Sequence, residues 1–271
     1  GRPVPADMPC SPGLLLWYWR RPPPEPRVPG EVDVLHQCSL LVVVDKPHFL
    51  PVTPGGRHLH ETVLVRLRRQ LGIDTLAPMH RLDRETAGVL AFTVQPATRA
   101  AYQAVLRDRL AHKVYEAVAP WQPGLALPLV ARHRLQERPG DAFMQMEVVQ
   151  GAPNAETLVE LIGRIDDGAG PTDCTSGSKP GSTSGAQPLA HYRLSPVTGR
   201  KHQLRIQMCT LGLPIVGDRI YPHLLPDTPP GALPDFSHPL QLLARELAFT
   251  DPVTGEARRF TSRRRLALAP A

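Results

Sequence analysis

The stretch "MHRLDRETAGVLAFTV", residues 79–94, crowds His80, Arg81, Asp83, Arg84 and Glu85 together and then runs almost wholly apolar. The apolar half, 88–94, has the length of one strand and no polar alternation. That pattern predicts a strand covered on both faces. The charged half has two readings. It is a solvated turn fixed by ion pairs, or one of its carboxylates is held for chemistry as a nucleophile or general acid-base. The second reading requires a nearby cation, because desolvation alone raises a carboxylate's pKa.

Working outward, "SLLVVVDKP" (39–47) predicts a second doubly covered strand, ended by Asp45, Lys46 and Pro47. Between the two, "HLHETVLVRLRRQLG" (58–72) spaces Leu59, Val63, Leu67 and Leu71 four apart. That spacing predicts an amphipathic helix stopped by Gly72, with Arg66, Arg68 and Arg69 on a solvated face. Downstream, Pro96 opens a helix through about Arg109. "HKVYEAVAP" (112–120) alternates as a strand with Tyr115, Ala117 and Ala119 on one face. "DAFMQMEVV" (141–149) reads as a strand with Ala142, Met144, Met146 and Val148 on one side, and "LAHYRLSP" (189–196) as another. "TGRKHQLRIQMCTLG" (198–212) predicts a helix from about Lys201, ended by Gly212, that buries Leu204, Met208 and Leu211 and turns Arg205 and Cys209 to another face. "LQLLARELAFTDPVTGE" (240–256) ends in a strand and a turn. Mixed elements without a regular βαβ repeat predict an α+β fold with a largely antiparallel sheet.

The 271 residues suffice for one large domain or two small ones. The absence of an apolar run of membrane-spanning length predicts no membrane span. No secretory pattern opens the sequence, and Cys10, Cys38, Cys174 and Cys209 form no C-x-x-C pair, which fits a reducing cytoplasm. The net charge of +6 favours polyanion partners such as nucleic acid. Residues 1–30 form a Pro-rich segment with an aromatic knot, Trp17-Tyr18-Trp19, that reads as a docking end or as a base-stacking patch. Residues 31–271 form the main domain, with a Gly/Ser/Thr/Pro-rich insertion at about 166–188 that has little to bury and is expected to be disordered. The tail around Arg258–Arg265 is strongly basic.

No P-loop, no dinucleotide fingerprint, no H-E-x-x-H and no nucleophile elbow is present. His58 and His60 stand two apart, a spacing that diverges on a helix, so neither a metal nor an organic cofactor is expected. Asp83, Tyr115 and Arg205 remain, each in a distinctive setting. Arg205 is a fixed cation whose planar fork suits a carboxylate. Tyr115 offers a ring for stacking and a phenol. Spacing by itself leaves their proximity open.

Five segments, in order, carry a resemblance. "HRLDRETAGVLAFT" (80–93) closely resembles the H-R-L-D-R-x-T-S-G signature of the RluA-type pseudouridine synthases. "LLVVVDKPHFLPVTPGG" (40–56), "KVYEAV" (113–118), "TGRKHQLRIQMCTLGLPIVGDRIY" (198–221) and "LLARELAFTDPVTGE" (242–256) are similar to that family's other conserved segments. The resemblance implies the pseudouridine synthase fold, a mixed, mostly antiparallel central sheet with flanking helices and a central cleft. It implies an isomerase that converts uridine in RNA to pseudouridine without metal or cofactor: the glycosidic bond breaks, the uracil turns while bound, and a carbon–carbon bond forms. Ribosomal RNA is the first expected substrate and transfer RNA the second, for a cytoplasmic monomer. Asp83 aligns with the essential aspartate, Tyr115 with the base-stacking tyrosine, which is also read as a proton acceptor, and Arg205 with the arginine that pairs with the aspartate. His80, Arg81, Arg200, His202 and Gln203 fall at positions expected to bind substrate. Many family members carry an N-terminal S4-like domain, and residues 1–27 read as its stump. Ala87, Gln207, Leu243 and Asp251 depart from the family pattern, outside the Asp–Tyr–Arg set. The alternative is a non-catalytic RNA-binding or chaperone module on the same fold, with a base hydrolase as a remote third.

Overall fold

A computed structural model describes residues 3–5, 7–9, 11–17, 25–56, 58–140, 144–165, 187–226, 228–229 and 232–270. The elements in chain order are β1 (Asp33–Gln37), β2 (Leu41–Lys46), α1 (Val63–Leu71), β3 (Ala77–Pro78), β4 (Ala87–Thr93), α2 (Arg99–Arg107), β5 (His112–Pro120), β6 (Leu129–Glu137), β7 (Met146–Val149), β8 (Ala155–Ile165), β9 (Leu189–Pro196), α3 (Gln203–Thr210), β10 (Leu242–Thr250) and β11 (Ala257–Thr261). One sheet runs β1-β2-β4-β10-β5-β9-β8-β6-β7, with β11 beside β10 and β3 beside β4. Every pairing is antiparallel except β4 with β10, where Leu243 faces Ala87 and Ala244 faces Gly88. The predicted α+β architecture is the observed one.

β2 and β4 are buried along their whole length because helices cover both faces. Val42, Val44, Leu90 and Phe92 pack under α1 with Val63 and Leu67. Leu41, Val43, Val89 and Ala91 pack on the other face against Tyr102 and Val105 of α2. The period of two thus divides each strand between two cores. α3 lies over the other half of the sheet, where Leu204 and Met208 meet Ala117, Ala119, Val159 and Leu194. Tyr115 touches both the α1 core and the α3 core. The cleft opens along that seam. Gly88 has φ +113°, and a Cβ there would stand 2.2 Å from the Ala244 carbonyl oxygen, so the close β4–β10 approach excludes a side chain.

Several sequence readings change. The first helix begins at Val63, not Leu59, because the Thr62 hydroxyl caps it by accepting from the Val65 amide at 3.3 Å. Its Arg66 and Arg68 are not solvated: Arg66 pairs with Glu61 and donates to Val28 and Gly30 carbonyls, and Arg68 donates to the Leu76 carbonyl. Residues 25–30, grouped by composition with the Pro-rich segment, are docked on the body. Glu25 accepts from the amides of Leu59, His60 and Glu61, and Val28 is buried in the α1 core. His58 and His60 precede the helix rather than lying on it. The strand expected over 141–149 is formed only from Met146 to Val149, with Met144 in a turn, and Ala142 lies outside the described residues. Tyr18 and Trp19 of the aromatic knot, and 166–186 of the expected insertion, also lie outside them. The basic tail forms β11, in which Arg258 pairs with Asp251 and Glu256, and Arg259 with Glu246. No helix among the described residues is long and apolar enough to cross a membrane.

The C-terminal segment is strapped across the far side of the sheet. Buried Asp45 accepts from Ser262 Oγ at 2.8 Å and from the Arg263 amide at 2.7 Å. Arg245, at a bulge in β10, donates to the carbonyls of Ser262 and Arg264 and grips Glu116 of β5 through two 2.8 Å bonds. Burial would raise the Glu116 pKa, but bonds from His191 and Arg245 hold it down at about 2, against an ordinary value of 4.5. The stabilisation is therefore complete above pH 4.5 and is lost as pH falls toward 2. Glu116→Gln is expected to flatten the fall of Tm with pH across that window, as read by thermal melts. An unchanged slope would refute the assignment.

Candidate active site

Three elements bring the catalytic candidates together. The loop before β4 carries Asp83, anchored by Leu82, which is buried in the α1 core, and by the turn bond from the Thr86 amide to the Asp83 carbonyl. Strand β5 carries Tyr115. Helix α3 carries Arg205, whose side chain is only 1% exposed although it bears a full charge.

Such a cation must be paired to be buried. Asp218, equally buried, takes the guanidinium in a bidentate grip, with Nε to Oδ2 at 2.8 Å and Nη2 to Oδ1 at 2.6 Å. Asp218 is itself fixed by the amides of Ile220 and Tyr221. The remaining Nη1 donates to Asp83 Oδ2 at 3.3 Å and stands 3.6 Å from Glu85 Oε2. Burial acts to lower the Arg205 pKa, but Asp218, Asp83 and Glu85 together raise it, so the cation is permanent. Asp83 keeps 27% of its side chain exposed toward the cleft. Arg205 thus holds Asp83 by one bond while Asp218 aims the guanidinium.

A second cation lies beneath. Lys46, fully buried, donates to the carbonyls of Pro47, Leu50 and Arg84 at 3.0, 2.8 and 2.9 Å. Three carbonyl acceptors match the three donors of an ammonium. Burial pushes its pKa down to about 7, against the pull of Glu85 and Asp83. Glu85 pairs with Arg84 at 2.8 Å. Burial would raise its pKa, but Arg84 and Arg205 hold it below the ordinary range. Burial, and then the charge of Asp83, raise the Tyr115 phenol. At neutral pH it stays protonated, and it can accept a proton only by passing on its own.

The other predicted residues lie around this centre in different ways. His80 Nε2 accepts from the Ala91 amide at 3.3 Å, and burial, followed by Lys113, pushes its pKa down to about 4, so the ring is neutral. Arg81 is exposed at the mouth of the cleft. Arg200 donates to the Asn154 carbonyl at 3.3 Å and lines the rim. His202, at the start of α3, lines the cleft with a left-handed backbone. Gln203 is turned inward: its oxygen accepts from Thr198 Oγ1 and the Arg200 amide, and its nitrogen donates to Thr157 Oγ1 and the Glu156 carbonyl. The departing residues have internal partners as well. Gln207 bonds Thr157 and the Ala131 carbonyl, and Asp251 bonds Tyr102.

The cleft has a volume of about 1370 Å³. That exceeds the several hundred Å³ usual for a small ligand and suits a stretch of polymer. Its rim is cationic, with Arg81, Arg107, Arg109, Arg200 and Arg219. No residue of the 258–265 tail lines it. Sequence reasoning missed Asp218, Lys46 and Tyr221. The signals were a lone Asp after the helix, in "GDRIY", and a Lys ending a buried strand.

Residues 40–210 match the family described as RNA pseudouridylate synthase. The chain is 30% identical over 249 residues to a dual-specificity RNA pseudouridine synthase from Haemophilus influenzae, covering 89% of this chain and 95% of that one. It is 31% identical over 237 residues to a tRNA pseudouridine synthase from Vibrio parahaemolyticus, covering 84% and 88%. The solved structure of human RNA pseudouridylate synthase domain-containing protein 1 superposes with a TM-score of 0.63 at 20% identity, covering 88% of this chain and 86% of that one.

Proposed function

Because the chain belongs to the RNA pseudouridylate synthase family and is therefore an isomerase that forms pseudouridine in RNA, we propose that Asp83, Tyr115 and Arg205 carry the reaction. The observation behind this assignment is the Asp218–Arg205–Asp83 chain, which presents one partly exposed carboxylate beside a partly buried tyrosine in a cationic cleft.

The reaction on this reading conserves every atom. A uridine leaves its stack to enter the cleft, and Tyr115 supplies the face that replaces the lost stacking. The N1–C1′ bond breaks, and its electron pair goes to the uracil ring. C1′ gains positive character, which the Asp83 carboxylate stabilises across the shortest path. Arg205 holds that carboxylate in place through its 3.3 Å bond. The uracil turns, C5 bonds to C1′, the C5 proton leaves, and N1 takes up a proton. Arg81, Arg200 and His80 border the bound strand. Ribosomal RNA is the first substrate to test and transfer RNA the second, for a monomeric cytoplasmic enzyme. Pseudouridine mapping of both RNA pools in a host lacking the gene, with and without the wild-type chain, decides between them. No restored pseudouridine in either pool would count against both.

Strand binding on a cationic rim releases counterions, so affinity falls with salt. With four or five phosphates contacted, the log–log slope is roughly −3. Arg109→Ala and Arg200→Ala are each expected to reduce the slope by about 0.7. Arg259→Ala, in the tail and already paired with Glu246, should leave it unchanged. A slope insensitive to the rim but sensitive to the tail would overturn this placement of the RNA.

A further inference from the structure

His202 has φ +52° and ψ +19°, a left-handed backbone uncommon for residues other than Gly, in which Asn, Asp and His are the side chains found most often. Its ring is anchored on one side only. Tyr221 Oη receives the Met146 amide at 2.6 Å and lies 3.2 Å from His202 Nδ1. The phenol oxygen already accepts from Met146, and among its hydrogen-bond partners in the described residues only His202 Nδ1 can take its proton. An accepting Nδ1 places the imidazole proton on Nε2. Burial lowers the His202 pKa, so the ring is neutral and carries a single proton. Nε2 has no partner among the described residues and is not one of the buried polar atoms left without one. His202 itself lines the cleft beside Arg205 and Asp83.

We infer that the Met146–Tyr221–His202 relay fixes His202 as the Nε2–H tautomer, a neutral donor to an oxygen of the nucleotide bound over Asp83. The inference rests on the cleft being the pseudouridine-forming site. The left-handed backbone is the device that turns the ring toward the cleft.

Two isosteric substitutions separate this role from a structural one. Gln places an amide nitrogen where imidazole Nε2 lies. Asn reaches only the Nδ1 position, where its oxygen still accepts from Tyr221, and Asn suits a left-handed backbone better than His does. His202→Asn should therefore melt no lower than wild type yet lose about tenfold in kcat/KM, the scale of one hydrogen bond. His202→Gln should stay within about threefold of wild type. The assay is pseudouridine formation on the RNA identified by mapping, with Asp83→Asn as control. RNA carrying 4-thiouridine at the target identifies the acceptor. A smaller Asn penalty there points to the base O4, and an unchanged one to O2 or the ribose. Equal activity of His202→Asn and wild type, or a Gln variant as poor as the Asn variant, overturns the inference. Activity retained in the Asp83→Asn control instead removes the site reading beneath it.

Discussion

Asp83→Asn is expected to lower pseudouridine formation by roughly 10³-fold or more, the upper range for a single positioned group. Its melting temperature should move by no more than about 2 °C. The two expectations come from the same geometry. Asp83 is partly exposed and accepts a single 3.3 Å bond from Arg205, whose charge is already matched by Asp218. The amide of Asn can keep that bond through its oxygen. It lacks the anionic charge expected to stabilise positive character at C1′, and its neutral oxygen is a far weaker nucleophile than a carboxylate. Pseudouridine counted by mass spectrometry, beside a thermal melt, tests both at once. A folded Asp83→Asn protein at wild-type rate would falsify the mechanism, and a variant that binds RNA equally tightly without turnover would support it. The non-catalytic alternative makes the opposite forecast, since a binding module has no use for the carboxylate.

The second large effect falls on stability. Asp218→Asn removes the bidentate partner and leaves the buried Arg205 guanidinium with only the longer contacts to partly exposed Asp83 and buried Glu85 to answer its charge. Breaking such a pair typically costs 3–5 kcal/mol, so Tm should fall by about 10 °C. Asn still accepts the Ile220 and Tyr221 amides, which assigns the loss to the ion pair rather than to the turn. The paired replacement Arg205→Met with Asp218→Leu should recover most of the lost Tm, because apolar packing can replace a buried pair. It should recover none of the activity. Recovered activity would show that Arg205 serves the fold alone, and an unchanged Tm in Asp218→Asn would show that the pair does not hold the helix.

How much of this was legible in the sequence depends on the range of the interaction. The two doubly buried strands, the helix stopped at Gly72 and the alternation around Tyr115 follow from local periodicity, and all are present. Asp83, Tyr115 and Arg205 were each recognisable, but their convergence depends on sheet order, which no local pattern encodes. Glu85 read as a turn-fixing partner of Arg84. It is that, and it also faces Arg205. Asp218 and Lys46 were silent because a single charged residue looks the same whether solvent or a buried partner answers it. The polar strands β6 and β11 were missed for a related reason. Their outward faces carry charge, and their inward residues are few: Ala131 and Leu135 in β6 are buried, whereas β11 has no fully buried residue.

The place of β10 in the sheet bears on when the enzyme comes into being. The strand-to-strand path from β4 to β5 runs through β10, although β10 is made more than a hundred residues after either. Asp83 belongs to the half that contains β4, while Tyr115 and Arg205 belong with β5 and the helix over it. In a chain emerging from the ribosome the strands of both halves, β1 to β9, are made before β10. The halves can be zipped together only once residues 242–250 have emerged, and they are fastened once the strap at Ser262–Arg264 closes on Asp45 and Arg245. Nascent chains therefore carry the rim's positive charge before they carry a complete reactive centre. The late strand is thus the piece that completes the centre, joining the half that carries Asp83 to the half that carries Tyr115 and Arg205.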